Sequence, residues 1–222
     1  MKIIITGSTG MIGEGVLMEC LANPEVSEVL SVSRKPCGYK DAKLKEYIIP
    51  DFLDLKVGDE QFSGYDACFY CAGVSSVGVQ EEEYKRITFD TTIHFAELVL
   101  AKNPQAVFIY VSGMGTDPTE KGRSSWARVK GKTENTLAKM SFKKVYNFRV
   151  GFAKPTKGQK YKMVLYNYIG WMYPLWKIFA PNNTSTLQQV AKAMIRLVQI
   201  DYPKTIISVK DMKKLAGESV NR

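Results

Sequence analysis

The residues with the clearest chemical potential stand at the start of the chain. Gly7, Gly10 and Gly13 follow directly on the apolar run Lys2-Ile3-Ile4-Ile5-Thr6 and open an amphipathic stretch that begins at Met11. Glycine at these intervals permits a tight turn and a close approach of backbone to ligand, and a helix starting there aims unpaired N–H groups at it. That combination suits a pyrophosphate, which makes Gly7-Ser8-Thr9-Gly10-Met11-Ile12-Gly13 the candidate phosphate cradle of a dinucleotide site. A strand-to-helix turn without a ligand is the plain alternative.

About 20 residues further on, an NAD site usually carries Asp or Glu for the ribose hydroxyls; this chain reads Ser33-Arg34-Lys35 instead. A guanidinium and an ammonium suit a 2′-phosphate, and Arg34 can stack on adenine while it pairs with the phosphate. The sequence therefore favours NADP over NAD, the alternative being a solvated basic turn.

These residues need strand ends and helix starts to hold them. Apolar runs at Lys2–Thr6, Glu28–Val32, Glu46–Ile49, Ala67–Cys71, Val107–Ser112 and Lys144–Arg149 alternate with helical patterns at Met11–Leu21, Glu81–Lys102 and Ser124–Met140. Such alternation predicts an α/β fold with a doubly wound parallel sheet of Rossmann type. Residues 1–150 form its dinucleotide-binding part. Residues 151–222 are expected to form a small α-rich lid or substrate region packed on it as one compact unit, loop-like over Gly151–Gly158 and helical again from Thr186 to Ile200. Between them, Tyr161, Tyr166, Tyr168, Trp171, Tyr173, Trp176 and Phe179 form an aromatic segment. Lys162, Asn167, Pro174 and Lys177 argue against a membrane span there. A mobile cover over the cofactor or a protein-partner surface is the expectation, with an interfacial membrane anchor as the minority reading.

Composition narrows the classes. The chain has 222 residues, 45% of them hydrophobic, which excludes collagen-like, disordered and disulfide-scaffold proteins. Its formal net charge of +9 favours anionic partners. The basic residues are interleaved with carboxylates rather than gathered into a stripe with aromatics, so the anion expected is a cofactor and not nucleic acid. Cys20, Cys37, Cys68 and Cys71 read as reduced structural thiols, since Cys68 and Cys71 lie three apart on a strand and face opposite ways. His94 has no partner ligands, so no metal site is expected. Ile3-Ile4-Ile5 is too short for the apolar region of a signal peptide, and cytoplasmic residence is the default.

Taken together, the pattern resembles the atypical short-chain dehydrogenase/reductase superfamily, in particular small NAD(P)-binding proteins of the NmrA-like and Tat-interacting-protein type. The resemblance covers most of the chain. It rests on Thr6-Gly7-Ser8-Thr9-Gly10-Met11-Ile12-Gly13, Pro50-Asp51-Phe52, Cys71-Ala72-Gly73, Val129-Lys130-Gly131 and Arg149-Val150-Gly151, the last with Val where the family has Pro. It implies that Asp51, beside Phe52, bonds the adenine amine, that Cys71, Ala72 and Gly73 line the adenosine pocket, and that Lys130 bonds the nicotinamide ribose. Read from the residues alone, Asp51 is equally a loop carboxylate and Cys71-Ala72-Gly73 a small-residue strand exit.

The same resemblance exposes three departures. The superfamily's proton donor is a Tyr four residues before the Lys, and this chain has Trp126 there. An indole N–H does not titrate in water, so Trp126 keeps the shape of the site but not its acid. The strand-end Ser is displaced, with Ser112 one position early and Gly113 where the hydroxyl belongs, and the supporting Asn is replaced by Thr88. Two readings follow. One is an NADPH-dependent reductase of an unknown small molecule with a non-standard proton donor, drawn from the aromatic segment, Ser112, or water relayed through Lys130. The other is a non-catalytic NADP(H)-holding redox sensor or scaffold. Sugar-nucleotide epimerase or dehydratase chemistry stands a distant third, because it leans on the same Tyr.

Overall fold

The computed structural model describes residues 1–161 and 181–217. Six strands lie where hydrophobic periodicity places them: β1 (Lys2–Thr6), β2 (Glu28–Ser33), β3 (Leu44–Ile48), β4 (Ala67–Tyr70), β5 (Val107–Gly113) and β6 (Lys144–Val150). Joined by the two-residue β9 (Ile206–Ile207), they form one sheet in the order β3-β2-β1-β4-β5-β6-β9, every pair parallel. This is the doubly wound arrangement that the alternating pattern predicts.

Strand alternation divides the core. Ile3 and Ile5 face a cluster with Val16, Leu17, Phe69, Val190 and Met194, under the helices α1 (Met11–Ala22) and α5 (Leu187–Gln199). Ile4 faces the other way, into a cluster with Leu30, Phe62, Tyr70, Phe95, Phe108 and Tyr110, under α3 (Thr91–Lys102) and α4 (Ser125–Leu137). Cys68 lies in this second cluster while Cys71 packs against the first, which is the opposed orientation expected of them. All four cysteines are free.

Two sequence expectations change, and one helix is added. The helix predicted as continuous over Glu81–Lys102 is α2 (Glu81–Lys85), a π-helical turn (Arg86–Asp90) and α3; such a turn inserts an extra residue and shifts the helix face. The stretch read as loop after Gly151 contains β7 (Phe152–Lys154), which pairs in parallel with β8 (Thr184–Thr186) in a small second sheet. A last helix, α6 (Val209–Leu215), begins with a capping box between Ser208 and Asp211. Apart from Tyr161, the aromatic segment ending at Phe179 lies outside the described residues. Among the described residues, no helix is long and apolar enough to cross a membrane and no cluster of His, Cys, Asp and Glu has the makings of a metal site.

Candidate functional site

The strand order reverses between β1 and β4, so the chains leaving these two strands diverge and open a crevice at their carboxyl ends. The crevice is stitched at its base. The Thr6 hydroxyl accepts the N–H groups of Cys71 at 3.1 Å and Ala72 at 3.0 Å. Gly7 then turns with φ +72°, and a Cβ there would sit 2.7 Å from the Cys71–Ala72 backbone. Gly13 is just as constrained, since its Cβ would lie 2.1 Å from the Gly7 carbonyl oxygen. Gly10 and Gly73 differ in kind: a Cβ on Gly10 would meet only Gly7 O, at 3.3 Å, and one on Gly73 would meet nothing within 4 Å. Gly7 and Gly13 thus close the turn, Gly10 is tight against one carbonyl, and Gly73 leaves the crevice open. No side chain caps α1 at Gly10, which leaves the first turn able to receive an outside acceptor.

Cavities run along this crevice. One of about 150 Å³ is lined by Gly7, Thr9, Gly10, Ser33, Arg34, Phe52, Cys71, Ala72 and Gly73. A neighbour of about 320 Å³ continues over Arg34, Asp51, Phe52, Ala72, Gly73 and Arg86. A third, open and about 570 Å³, lies between Thr9, Arg34, Lys35, Pro50 and Tyr161. Most residues expected at a nucleotide therefore meet in one groove. Ser8 is an exception at the side-chain level, because its hydroxyl is buried against that of Ser31 at 2.7 Å. Met11 and Ile12 turn their side chains toward the core, leaving backbone as their contribution to the groove. Ser33 shapes the turn by donating to the Lys35 carbonyl at 2.7 Å. Burial pushes the Cys71 thiol up to about 12, so it lines the groove as a neutral group.

Asp51 is already engaged: one carboxylate oxygen accepts the Leu53 N–H at 3.0 Å and the other holds Arg86 at 2.9 Å. Arg86 escaped sequence reasoning because it sits in the π turn, 35 residues away. Nothing local marks it.

Further along the sheet, α4 presents Trp126 and Lys130 on one face, above the end of β5. A Cβ on Gly113 would lie 3.6 Å from the Trp126 ring and 3.9 Å from Lys130 Cδ, so Gly113 is the strand position that faces the pair. Ser112 is turned elsewhere. Its hydroxyl lies 2.8 Å from Thr116 Oγ1, which in turn donates to Gly113 O at 2.7 Å, so Ser112 is the donor in a closed local chain. Lys130 Nζ donates to Val111 O at 3.3 Å and approaches the Tyr110 hydroxyl at 3.5 Å. Burial lowers its pKa to about 8, while the nearby Glu134 charge acts in the opposite direction. Glu134 is itself buried and holds Arg149 through two contacts, at 2.7 and 3.2 Å. Thr88 is buried within the π turn.

The family model described as the NAD dependent epimerase/dehydratase family matches residues 3–136, which contain Lys130 and every crevice residue named above except Tyr161. The chain belongs to this family. A curated relative, the Leucinostatins biosynthesis cluster protein T of Purpureocillium lilacinum, is 31% identical over 123 residues. The match spans 54% of this chain and 45% of that protein, so the chain aligns with less than half of its relative's length. Among solved structures, MoeE5 in complex with UDP-glucose and NAD superimposes with a TM-score of 0.67 at 17% identity, over 98% of this chain and 82% of that one. The PhqB reductase domain from Penicillium fellutanum gives 0.66 at 17% identity, covering 95% and 67% respectively. A short chain dehydrogenase family protein from Francisella tularensis gives 0.63 at 16%, over 89% and 90%. At these identities the likeness is one of fold. Family membership agrees with the short-chain dehydrogenase/reductase resemblance drawn from the motifs, and this family member is a Rossmann protein of the NAD(P)-binding class.

Proposed function

We propose that this chain binds NADP(H) in the crevice between β1 and β4 and acts as an NADPH-dependent reductase of a small molecule, with Lys130 in place of the missing phenol. The observation that carries the cofactor reading is the cavity shared by Thr9, Arg34 and Lys35, where the β2 exit offers two cations and no carboxylate to the ribose. Gly73 supports it, because its open face leaves that edge of the cradle unfilled by any side chain. The bound cofactor would supply hydride. What the chain's own residues supply is a cradle for the pyrophosphate, an adenosine groove along Ala72, Gly73 and Phe52, and a proton at Lys130 Nζ. An amine with a pKa of about 8 is largely protonated at neutral pH yet able to give its proton up.

A second reading, a cofactor-holding protein without turnover, is favoured by Trp126, by Gly113 beneath it, and by the commitment of Ser112 to Thr116. Epimerase chemistry would ask for the same absent Tyr.

Two measurements test this. Titration of intrinsic Trp fluorescence should show NADPH binding more tightly than NADH, with the preference lost in Arg34→Ala; equal affinities would overturn the NADP reading. NADPH oxidation against a carbonyl and quinone panel should fall as pH rises through about 8, since the ammonium is the proton-giving form below that value. Absence of turnover across the panel would favour the non-catalytic reading.

A further inference from the structure

We infer that Glu14 and Tyr161 complete the nucleotide site, the chain from Thr156 to Tyr161 forming a fixed wall of the cavity that takes the 2′-phosphate. The inference rests on the NADP reading above.

Glu14 follows Gly13 in the first turn of α1 and is wholly buried. A carboxylate in that position needs donors, and it finds them far along the chain. One oxygen accepts the Tyr39 hydroxyl at 2.7 Å, 25 residues away, and the Lys160 N–H at 2.7 Å, 146 residues away. The other accepts the Tyr161 N–H at 2.7 Å and Gln159 Nε2 at 3.4 Å. Gln159 adds a second tie by donating to Met11 O at 2.7 Å. The Lys160 ammonium is directed away, to Gly38 O at 2.6 Å and over the Tyr39 ring at 4.4 Å. The backbone fits closely here too, since a Cβ on Gly15 would lie 3.2 Å from Gln159 Oε1 and 2.8 Å from Leu187.

One side chain of the phosphate-cradle helix therefore locks three separate segments: the helix itself, the loop after β2, and residues 156–161. The lock delivers Tyr161 to the cavity it shares with Thr9, Arg34, Lys35 and Pro50. A phosphate held there by Arg34 and Lys35 would have the Tyr161 side chain as its outer wall. Such a wall shields one side of the anion from water and strengthens the charge-assisted hydrogen bonds on that side. NADH carries no 2′-phosphate to use it. Tyr161 is therefore a specificity-determining residue and Glu14 a positioning residue.

The test is calorimetric titration of NADPH, NADH and 2′,5′-ADP into the wild-type chain and into Tyr161→Ala, Glu14→Gln and Arg34→Ala, with thermal melts of each. Tyr161→Ala should weaken NADPH and 2′,5′-ADP by about tenfold, the scale of one charge-assisted contact, and leave NADH unchanged. Glu14→Gln should shift the NADPH-to-NADH ratio the same way, a readout that general loss of stability does not move; should it fail to fold, Tyr161→Ala carries the test alone. An unchanged ratio in Tyr161→Ala alongside a lost preference in Arg34→Ala would overturn the wall while the NADP reading stands. A wild type without NADPH preference would remove both.

Discussion

Gly10 and Gly13 carry the same side chain, or none, for different reasons, and their variants should separate accordingly. A Cβ at Gly13 would lie 2.1 Å from Gly7 O, inside any contact a fold tolerates, so Gly13→Ala is expected to lower the melting temperature through overpacking of order 1–3 kcal/mol or more. At Gly10 the one tight approach is 3.3 Å to Gly7 O, so Gly10→Val should lower the melting temperature less than Gly13→Ala yet lose binding of both NADPH and NADH, as read by fluorescence titration. Retained binding would make the turn structural only. The Trp126 face invites the converse experiment. Gly113 has ordinary contact room for a Cβ, and Tyr fits where Trp stands, so Gly113→Ser with Trp126→Tyr adds a hydroxyl and, besides that of Tyr110, a second phenol near Lys130. NADPH-dependent carbonyl reduction should rise in the double variant; a wild type already active at an equal rate would show that no acid is missing.

At the level of elements, α4 and β6 are joined beneath the site by the buried Glu134 and its partner Arg149. Removing one member of such a pair strands the other, and Glu134→Ala is expected to cost about 3–5 kcal/mol, measurable by denaturant unfolding. The same pair tunes Lys130. Glu134 raises the amine's pKa against the larger effect of burial, so Glu134→Gln should move it below about 8, and the 13C resonance of the Lys130 ε-carbon would report that titration. No change would mean that Arg149 already neutralises Glu134 as Lys130 feels it. On α2 and the π turn, Arg86 holds Asp51 across the adenosine groove. Asp51 is therefore not a free acceptor, and an adenine amine reaching it would share the carboxylate with Arg86.

Over the whole molecule, binding in a crevice between two strands stabilises the sheet that forms it. Saturation to about 100 times the dissociation constant adds about 2.7 kcal/mol, worth roughly 5–11 °C in a domain of this size. NADPH should produce that rise in a thermal melt, NADH at equal concentration a smaller one, and Gly10→Val none with either. The net charge of +9 adds a long-range term, so the NADPH on-rate should fall with added salt.

Fold class, strand succession, the glycine turn after β1 and the Arg34-Lys35 pair at the β2 exit were legible in the amino-acid sequence because each is a local pattern: alternation within a strand, helical spacing, glycines set by one turn. The placement of Trp126 and Lys130 on one helix face was legible for the same reason. Short elements were not, since the two residues of β9 and the three of β7 and β8 are too few to show a period, and strand pairing alone defines them. The break in the helix over Glu81–Lys102 stayed hidden because a π turn differs from an α turn by a single residue of register. The partnerships that shape the site lay further from view: Glu14 with Lys160 and Tyr161, Asp51 with Arg86, Glu134 with Arg149, Lys130 with Tyr110. These pairs lie 15 to 147 residues apart. A buried carboxylate takes whatever donors the packed chain brings within about 3 Å, and only the tertiary structure decides which those are.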